Sequence, residues 1–208
     1  MKKIHPSSDP SNKIDQLVYR VDITPQVMKY MGIGERFYSV KFDTIQCGDH
    51  VEYLRRYYNR IYTACRDGWG LVLTGRNGVG KTGAAIVMLK QARRVGFTGL
   101  FISTSFYLSS IIDKRLFYES QTVQDRAENV DMLVLDDFGK ESIKTGDGAW
   151  GGRSIEDLLR FRNLNRRSTI ITTNGKLEIW GAFFGKSFVS LIDETFLGIT
   201  MIGKDLRV

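Results

Sequence analysis

Cysteine, histidine and proline are scarce in this chain of 208 residues, and no apolar run is long. Its two cysteines, Cys47 and Cys65, form no CxxC pair. Two thiols make no disulfide framework, and such usage points to a reduced, cytoplasmic interior. With His5 and His50 the only histidines, a zinc site has too few ligands. Nothing approaches the ~20 consecutive apolar residues of a membrane span. The start, Met1-Lys2-Lys3-Ile4-His5-Pro6, has no apolar core behind its charges, so neither a membrane helix nor a signal peptide is expected. What is there is an ordinary globular mixture, 42% hydrophobic and 25% charged, which argues against long disorder, a collagen-like repeat or a coiled coil. Lysine and arginine number 30 against 23 acidic residues, a formal charge of +7. That balance fits an acidic partner such as nucleic acid and fits simple solubility equally well.

Residues 1–32 read as a flexible polar arm with one short helix, begun by Thr24 as N-cap and Pro25 at the first helical position. Residues 33–208 read as a single domain. Residues 33–48 look irregular. Val51, Leu54, Tyr58, Ile61 and Cys65 recur at spacings of three and four, which predicts one helix from Asp49 to about Arg66. Strands and helices then alternate. Strands are expected at 71–74, 99–103, 132–135, 168–173 and 196–202. Helices are expected at 81–95, 105–118, 155–165, 179–184 and 188–194, with a glycine loop over 142–153. Strands separated by helices imply right-handed crossovers and a five-stranded parallel sheet flanked by helices, an α/β fold.

Gly75-Arg76-Asn77-Gly78-Val79-Gly80-Lys81-Thr82 fits GxxxxGK[ST] without a mismatch, with a strand entering and a helix leaving. Glycines let the backbone curl so that N–H groups meet phosphate oxygens, and the helix N-terminus adds partial positive charge. The candidate nucleotide-binding residues are Gly75, Asn77, Gly78, Val79, Gly80, Lys81 and Thr82. Lys81 reaches the β- and γ-phosphates, and the Thr82 hydroxyl suits Mg²⁺. An ordinary glycine turn is the alternative, and eight matched positions in context argue against it. Leu133-Val134-Leu135-Asp136-Asp137 is the expected partner, a buried strand beside the first. Asp136, at the strand's carboxyl end, would hold Mg²⁺, and Asp137 would polarise the attacking water. A carboxylate at a strand end is also an ordinary turn cap. Asn174, after the fourth strand, could orient the same water, although Asn174-Gly175 is also a common turn.

With these residues in place, the chain resembles the AAA+ helicase loaders of the DnaC and DnaI type and their transposition relatives of the IstB type. The lead-in Ile33-Gly34-Glu35-Arg36-Phe37, followed by Phe42-Asp43, is similar to that family's first segment. The phosphate loop, the Asp136-Asp137 pair, Asn165 to Asn174 and Trp180 to Gly185 follow in the family's order. The resemblance implies a P-loop AAA+ core with little or no lid domain. It further implies Mg-ATP binding and hydrolysis, ATP-dependent homo-oligomers, action on DNA with single strands favoured, and a replicative helicase or a transposase as partner. A prokaryotic, phage or mobile-element source fits. Two departures stand out. Glu194 occupies the place of the family's arginine finger, which leaves Arg153, Arg160, Arg162 or another protein to supply one. Only 32 residues precede the lead-in, where loaders carry a helicase-binding domain. Asp205-Leu206-Arg207 resembles the terminal sensor, making Arg207 either a phosphate contact or a plain basic residue.

The same resemblance places Lys114, Arg115 and Tyr118 near DNA, where basic side chains neutralise phosphates and aromatics stack on bases. Phe106, Leu108, Ile111 and Ile112 read as core. Arg55, Arg56 and Arg60 form a stripe that is either a solvated face or a DNA contact. Trp150 either meets a partner or tucks over the core. Two rival functions remain on sequence alone. One is an ATP-gated clamp with very slow hydrolysis. The other is a small-molecule kinase, which needs an arginine-rich lid that the glycines at 146–152 supply poorly.

Overall fold

Leu71-Val72-Leu73, Leu133-Val134-Leu135 and Ile170-Ile171 are continuous apolar runs, and strands of that kind need cover on both faces. The computed structural model has this arrangement. It describes residues 21–45, 48–112, 117–139, 148–175 and 180–206. Five parallel strands form one sheet: β1 (Gly70–Thr74), β2 (Gly99–Ser103), β3 (Met132–Phe138), β4 (Ser168–Thr173) and β5 (Phe196–Thr200), in the order β2-β3-β4-β1-β5. Alternate side chains serve opposite layers. Leu71, Leu73, Met132, Val134 and Ile170 join one core, while Val72, Leu133, Leu135 and Ile171 join the other.

The strand bearing Asp136 does not lie beside the first. β4 runs between them, pairing Ile170 with Leu71 on one side and with Val134 on the other. Sequence neighbours need not be sheet neighbours. The crossover from β1 leads to the edge at β2, β3 pairs with β2, and β4 fills the gap.

The helices are α1 (Pro25–Tyr30), α2 (Val51–Asn59), α3 (Ile61–Asp67), α4 (Lys81–Arg94), α5 (Thr104–Ile112), α6 (Phe117–Asn129), α7 (Gly148–Leu164) and α8 (Trp180–Thr195). The single helix expected over 49–66 is two, because Arg60, at φ −102° and ψ 21°, ends α2 and starts α3. Likewise α6 is a separate helix where the sequence reading ran one element to residue 118. The glycine stretch expected as a loop through residue 153 is helical from Gly148, so Trp150 belongs to α7. Gly185 interrupts α8, giving the two short helices expected there. Among the described residues no helix follows β5, so no lid domain is present in them. No described helix is long and apolar enough to cross a membrane.

Residues 21–44 pack against the sheet and α4. Thr24 caps α1 by accepting from the Val27 N–H, and Met28, Met31 and Ile33 are buried. The Met31 carbonyl accepts from the Phe101 N–H (2.7 Å), which occupies part of the edge of β2. Lys90, buried on α4, donates to the carbonyls of Phe37, Tyr38 and Val40 at 2.9–3.0 Å, fixing the lead-in segment beside the phosphate loop. Arg55 stacks over Phe42 at 4.7 Å and Arg56 pairs with Glu52, so two members of the basic stripe have local partners.

Arg162 is a structural residue. It is fully buried and donates to the carbonyls of Ala127 (2.7 Å), Glu128 (3.2 Å), Val130 (2.8 Å), Asp131 (3.4 Å) and Ser168 (2.5 Å) and to Thr169 Oγ1 (2.9 Å). The orphan carbonyls at the end of α6 are thereby satisfied and tied to the start of β4. Burial and the neighbouring Arg167 charge lower its pKa to about 9, which leaves it charged at neutral pH.

Candidate functional site

The glycine loop leaves β1 at Thr74 and enters α4 at Lys81. Gly78 has φ 81°, a left-handed conformation that suits glycine. A Cβ there would also overlap the Asp205 carboxylate. Gly75 is equally constrained, since a Cβ would overlap the Met201 carbonyl oxygen. The segment Met201–Leu206 therefore lies on the loop. The Met201 N–H donates to the Thr74 carbonyl (2.7 Å) and the Leu206 N–H to the Gly78 carbonyl (3.0 Å). Arg207, the expected sensor, lies outside the described residues, and its neighbours Asp205 and Leu206 are the residues on the glycines.

Lys81, only 6% exposed, donates to the carbonyls of Gly75 (2.9 Å) and Arg76 (2.8 Å) and to Asn174 Oδ1 (2.7 Å). The lysine and the asparagine, 93 positions apart, are thus in direct contact because β4 lies beside β1. Thr82 Oγ1 donates to Asp136 Oδ1 (2.9 Å). A second hydroxyl, Thr172 Oγ1, donates to the same oxygen (2.6 Å). Hard oxygen donors from one hydroxyl and one carboxylate at a helix N-terminus fit Mg²⁺, whose remaining ligands are commonly water and phosphate. A cage of three or more His, Cys, Asp or Glu side chains is absent among the described residues.

β3 does not end at the first aspartate. Leu135 pairs with Ile171 and Phe138 with Thr173, so Asp136 and Asp137 together oppose Thr172. This is a bulge, and Asp137 takes φ 58°, the left-handed region. The Asp137 N–H donates to Thr172 Oγ1 (3.0 Å). Thr104 Oγ1 donates to the Asp136 carbonyl (3.0 Å) and Thr173 Oγ1 to the Phe138 carbonyl (2.8 Å), holding the backbone on either side.

Residues 62–193, over half of the chain, match the family described as IstB-like ATP binding protein. The chain belongs to that family. Beside this IstB-like protein stands an ATP-binding protein of insertion sequence IS1162 from Pseudomonas fluorescens, 33% identical over 109 residues, a match covering 50% of this chain and 42% of that one. The alignment thus spans less than half of its relative's length. Among solved structures, the DnaC helicase loader is 26% identical with a TM-score of 0.65, covering 81% of this chain and 100% of that one. DnaI is 17% identical with a TM-score of 0.68, covering 93% and 98%. These likenesses make the IstB-like chain an AAA+-type P-loop fold.

The other expected site residues fare unevenly. Lys114 and Arg115 lie outside the described residues, and Tyr118 falls in the first turn of α6. Phe106, assigned to the core from its helical spacing with Leu108, Ile111 and Ile112, is 57% exposed, whereas Tyr107 beside it is 3% exposed. The buried positions of α5 are Thr104, Tyr107 and Ser110, a three-residue spacing that puts Phe106 outside. Of the substitute fingers, Arg162 is excluded by its burial. Arg160 is bound to Glu156 Oε1 (2.7 Å) and to Ser187 Oγ. Arg153 is exposed. Glu194 is exposed on α8 and accepts from Ser190 Oγ (3.1 Å). Thr172 went unnoticed in the sequence, where a threonine in a strand is an ordinary β-former.

Proposed function

We propose that this chain binds Mg-ATP on the loop Gly75–Thr82 and hydrolyses it, and that it acts on DNA as a replicative helicase loader or a transposition-type ATPase regulator. One observation carries the reading: the consecutive residues Lys81 and Thr82 at the start of α4 hydrogen-bond Asn174 and Asp136 respectively, at the carboxyl ends of three adjacent strands. In this reading Lys81 exchanges carbonyl partners for β- and γ-phosphate oxygens. Thr82 and Asp136 hold Mg²⁺, which when bound neutralises charge on the transferred phosphoryl group. Asp137 accepts a hydrogen bond from the attacking water and aims it, and the Asn174 amide steadies the same water. The insertion-sequence relative and the helicase-loader likeness support a bacterial mobile-element setting, cytoplasmic work, and a transposase or helicase as partner.

Phosphate release by wild type and Asp137→Asn tests the chemistry. The variant retains Asp136, so Mg-ATP affinity is expected to hold while turnover falls ~10²-fold or more. Equal turnover removes Asp137 from the mechanism, and no turnover by wild type, alone or with DNA, overturns the hydrolase reading. One observation favours a slower clamp. Glu194 sits at the finger position, and of the three substitutes in this chain only exposed Arg153 lacks the structural ties of Arg160 and Arg162. Hydrolysis that waits for another protein's arginine, assembly into ATP-bridged oligomers, and slow basal turnover belong together in this version.

DNA action is supported by the net charge of +7. Affinity for a labelled oligonucleotide, read by fluorescence anisotropy with a non-hydrolysable ATP analogue present, is expected to fall steeply between ~50 and ~200 mM salt. Failure to bind single or double strands at low salt leaves the charge as a solubility feature.

A further inference from the structure

Consecutive residues of a regular strand point to opposite faces. Asp136 and Asp137 are consecutive, and Asp136 meets Thr82 at the start of α4. An unbroken strand would therefore turn Asp137 away from that helix. A bulge breaks that regularity here, because two residues of β3 share one partner on β4 and the second takes φ 58°. Backbone of that kind is unfavourable for a residue with a Cβ and persists where neighbours hold it. The holder is visible. Thr172 is completely buried, and its single hydroxyl joins both aspartates, donating to the Asp136 carboxylate (2.6 Å) and accepting the Asp137 N–H (3.0 Å).

We propose that Thr172 is a positioning residue that clamps the bulge and fixes Asp137 relative to Asp136. The hydroxyl ties the side chain of one carboxylate to the backbone of the next, so a shift at the metal ligand is felt at the water-orienting residue. Valine has the same shape and cannot make either bond, whereas serine makes both. The effect on turnover rests on the hydrolase reading above; the clamp itself does not.

The experiment compares wild type, Thr172→Val and Thr172→Ser in phosphate release from Mg-ATP and in amide hydrogen exchange at Asp137 followed by NMR, with thermal melts as the check on folding. Thr172→Val is expected to lower kcat about ten-fold or more with KM nearly unchanged, since misplacing a reacting group costs rate rather than binding. The Asp137 amide is expected to exchange at least ~10-fold faster, having lost its acceptor. Thr172→Ser is expected to restore both. Wild-type exchange at Asp137 in the valine variant overturns the clamp. So does a rate loss that follows thermal stability and is not rescued by serine. If wild type itself releases no phosphate, the hydrolase reading falls, and exchange at Asp137 still decides whether Thr172 holds the bulge.

Discussion

Lys81→Ala is expected to weaken Mg-ATP binding ~10²–10⁴-fold. The ammonium is the charged group inside the glycine loop, held by two loop carbonyls and Asn174. Each hydrogen bond from such a cation to a phosphate oxygen contributes about 1.5–3 kcal/mol, and the loss of two gives a change of that size. Calorimetric titration with Mg-ATP measures it directly, and a thermal shift gives the same ranking. Lys81 also supports the loop, so a melt without nucleotide serves as the control. A modest drop there, about 1–2 kcal/mol, is expected from the unpaired carbonyls of Gly75 and Arg76. If Mg-ATP stabilises the variant as much as wild type, nucleotide binds elsewhere and the site reading is wrong.

The second large effect is on stability. Arg162→Met is expected to cost about 3–5 kcal/mol, because it leaves buried acceptors without donors while keeping much of the volume. For a chain of this size that lowers the melting temperature by roughly 6–20 °C. Arg162→Lys is not expected to rescue it. A single ammonium cannot span carbonyls belonging to the end of α6, the approach to β3 and the start of β4, whereas the planar fork of a guanidinium can. Urea melts would show a lower midpoint with an unchanged slope. Stability within about 1 kcal/mol of wild type, combined with lost ATPase activity, would reverse the assignment and return Arg162 to the active site.

That arginine illustrates what the sequence discloses and what it hides. Ile155, Leu158, Leu159 and Arg162 follow a single helical stripe, and the first three are core residues. That spacing agrees with the burial of Arg162, whereas the sequence reading offered it as a substitute finger on the strength of its charge. Local patterns made the glycine loop, α4 and all five strands legible, since each is written in contiguous residues, as a motif or a short apolar run. Strand order is a non-local property, and nothing in Leu133–Asp137 announced that β4 would intervene. The bulge was hidden for a related reason. Leu-Val-Leu-Asp-Asp reads as a strand and its end, and the left-handed conformation at Asp137 goes with a pairing to Thr172, 35 positions further along the chain. Phe106 was read as core with Leu108, Ile111 and Ile112, but the buried side of α5 runs through Thr104, Tyr107 and Ser110, a register that the spacing of the apolar residues did not reveal.

Met201–Leu206 resting on the glycine loop has a practical consequence for anyone handling the protein. An affinity tag, fluorophore or fusion partner joined after Leu206 starts beside Gly78, to whose carbonyl the Leu206 N–H donates, on the loop proposed to hold nucleotide. Affinities measured with such an appendage would report on the appendage together with the site. Labels intended to leave that loop undisturbed belong elsewhere on the molecule, and a label placed deliberately beside Leu206 becomes a reporter of events at the glycine loop.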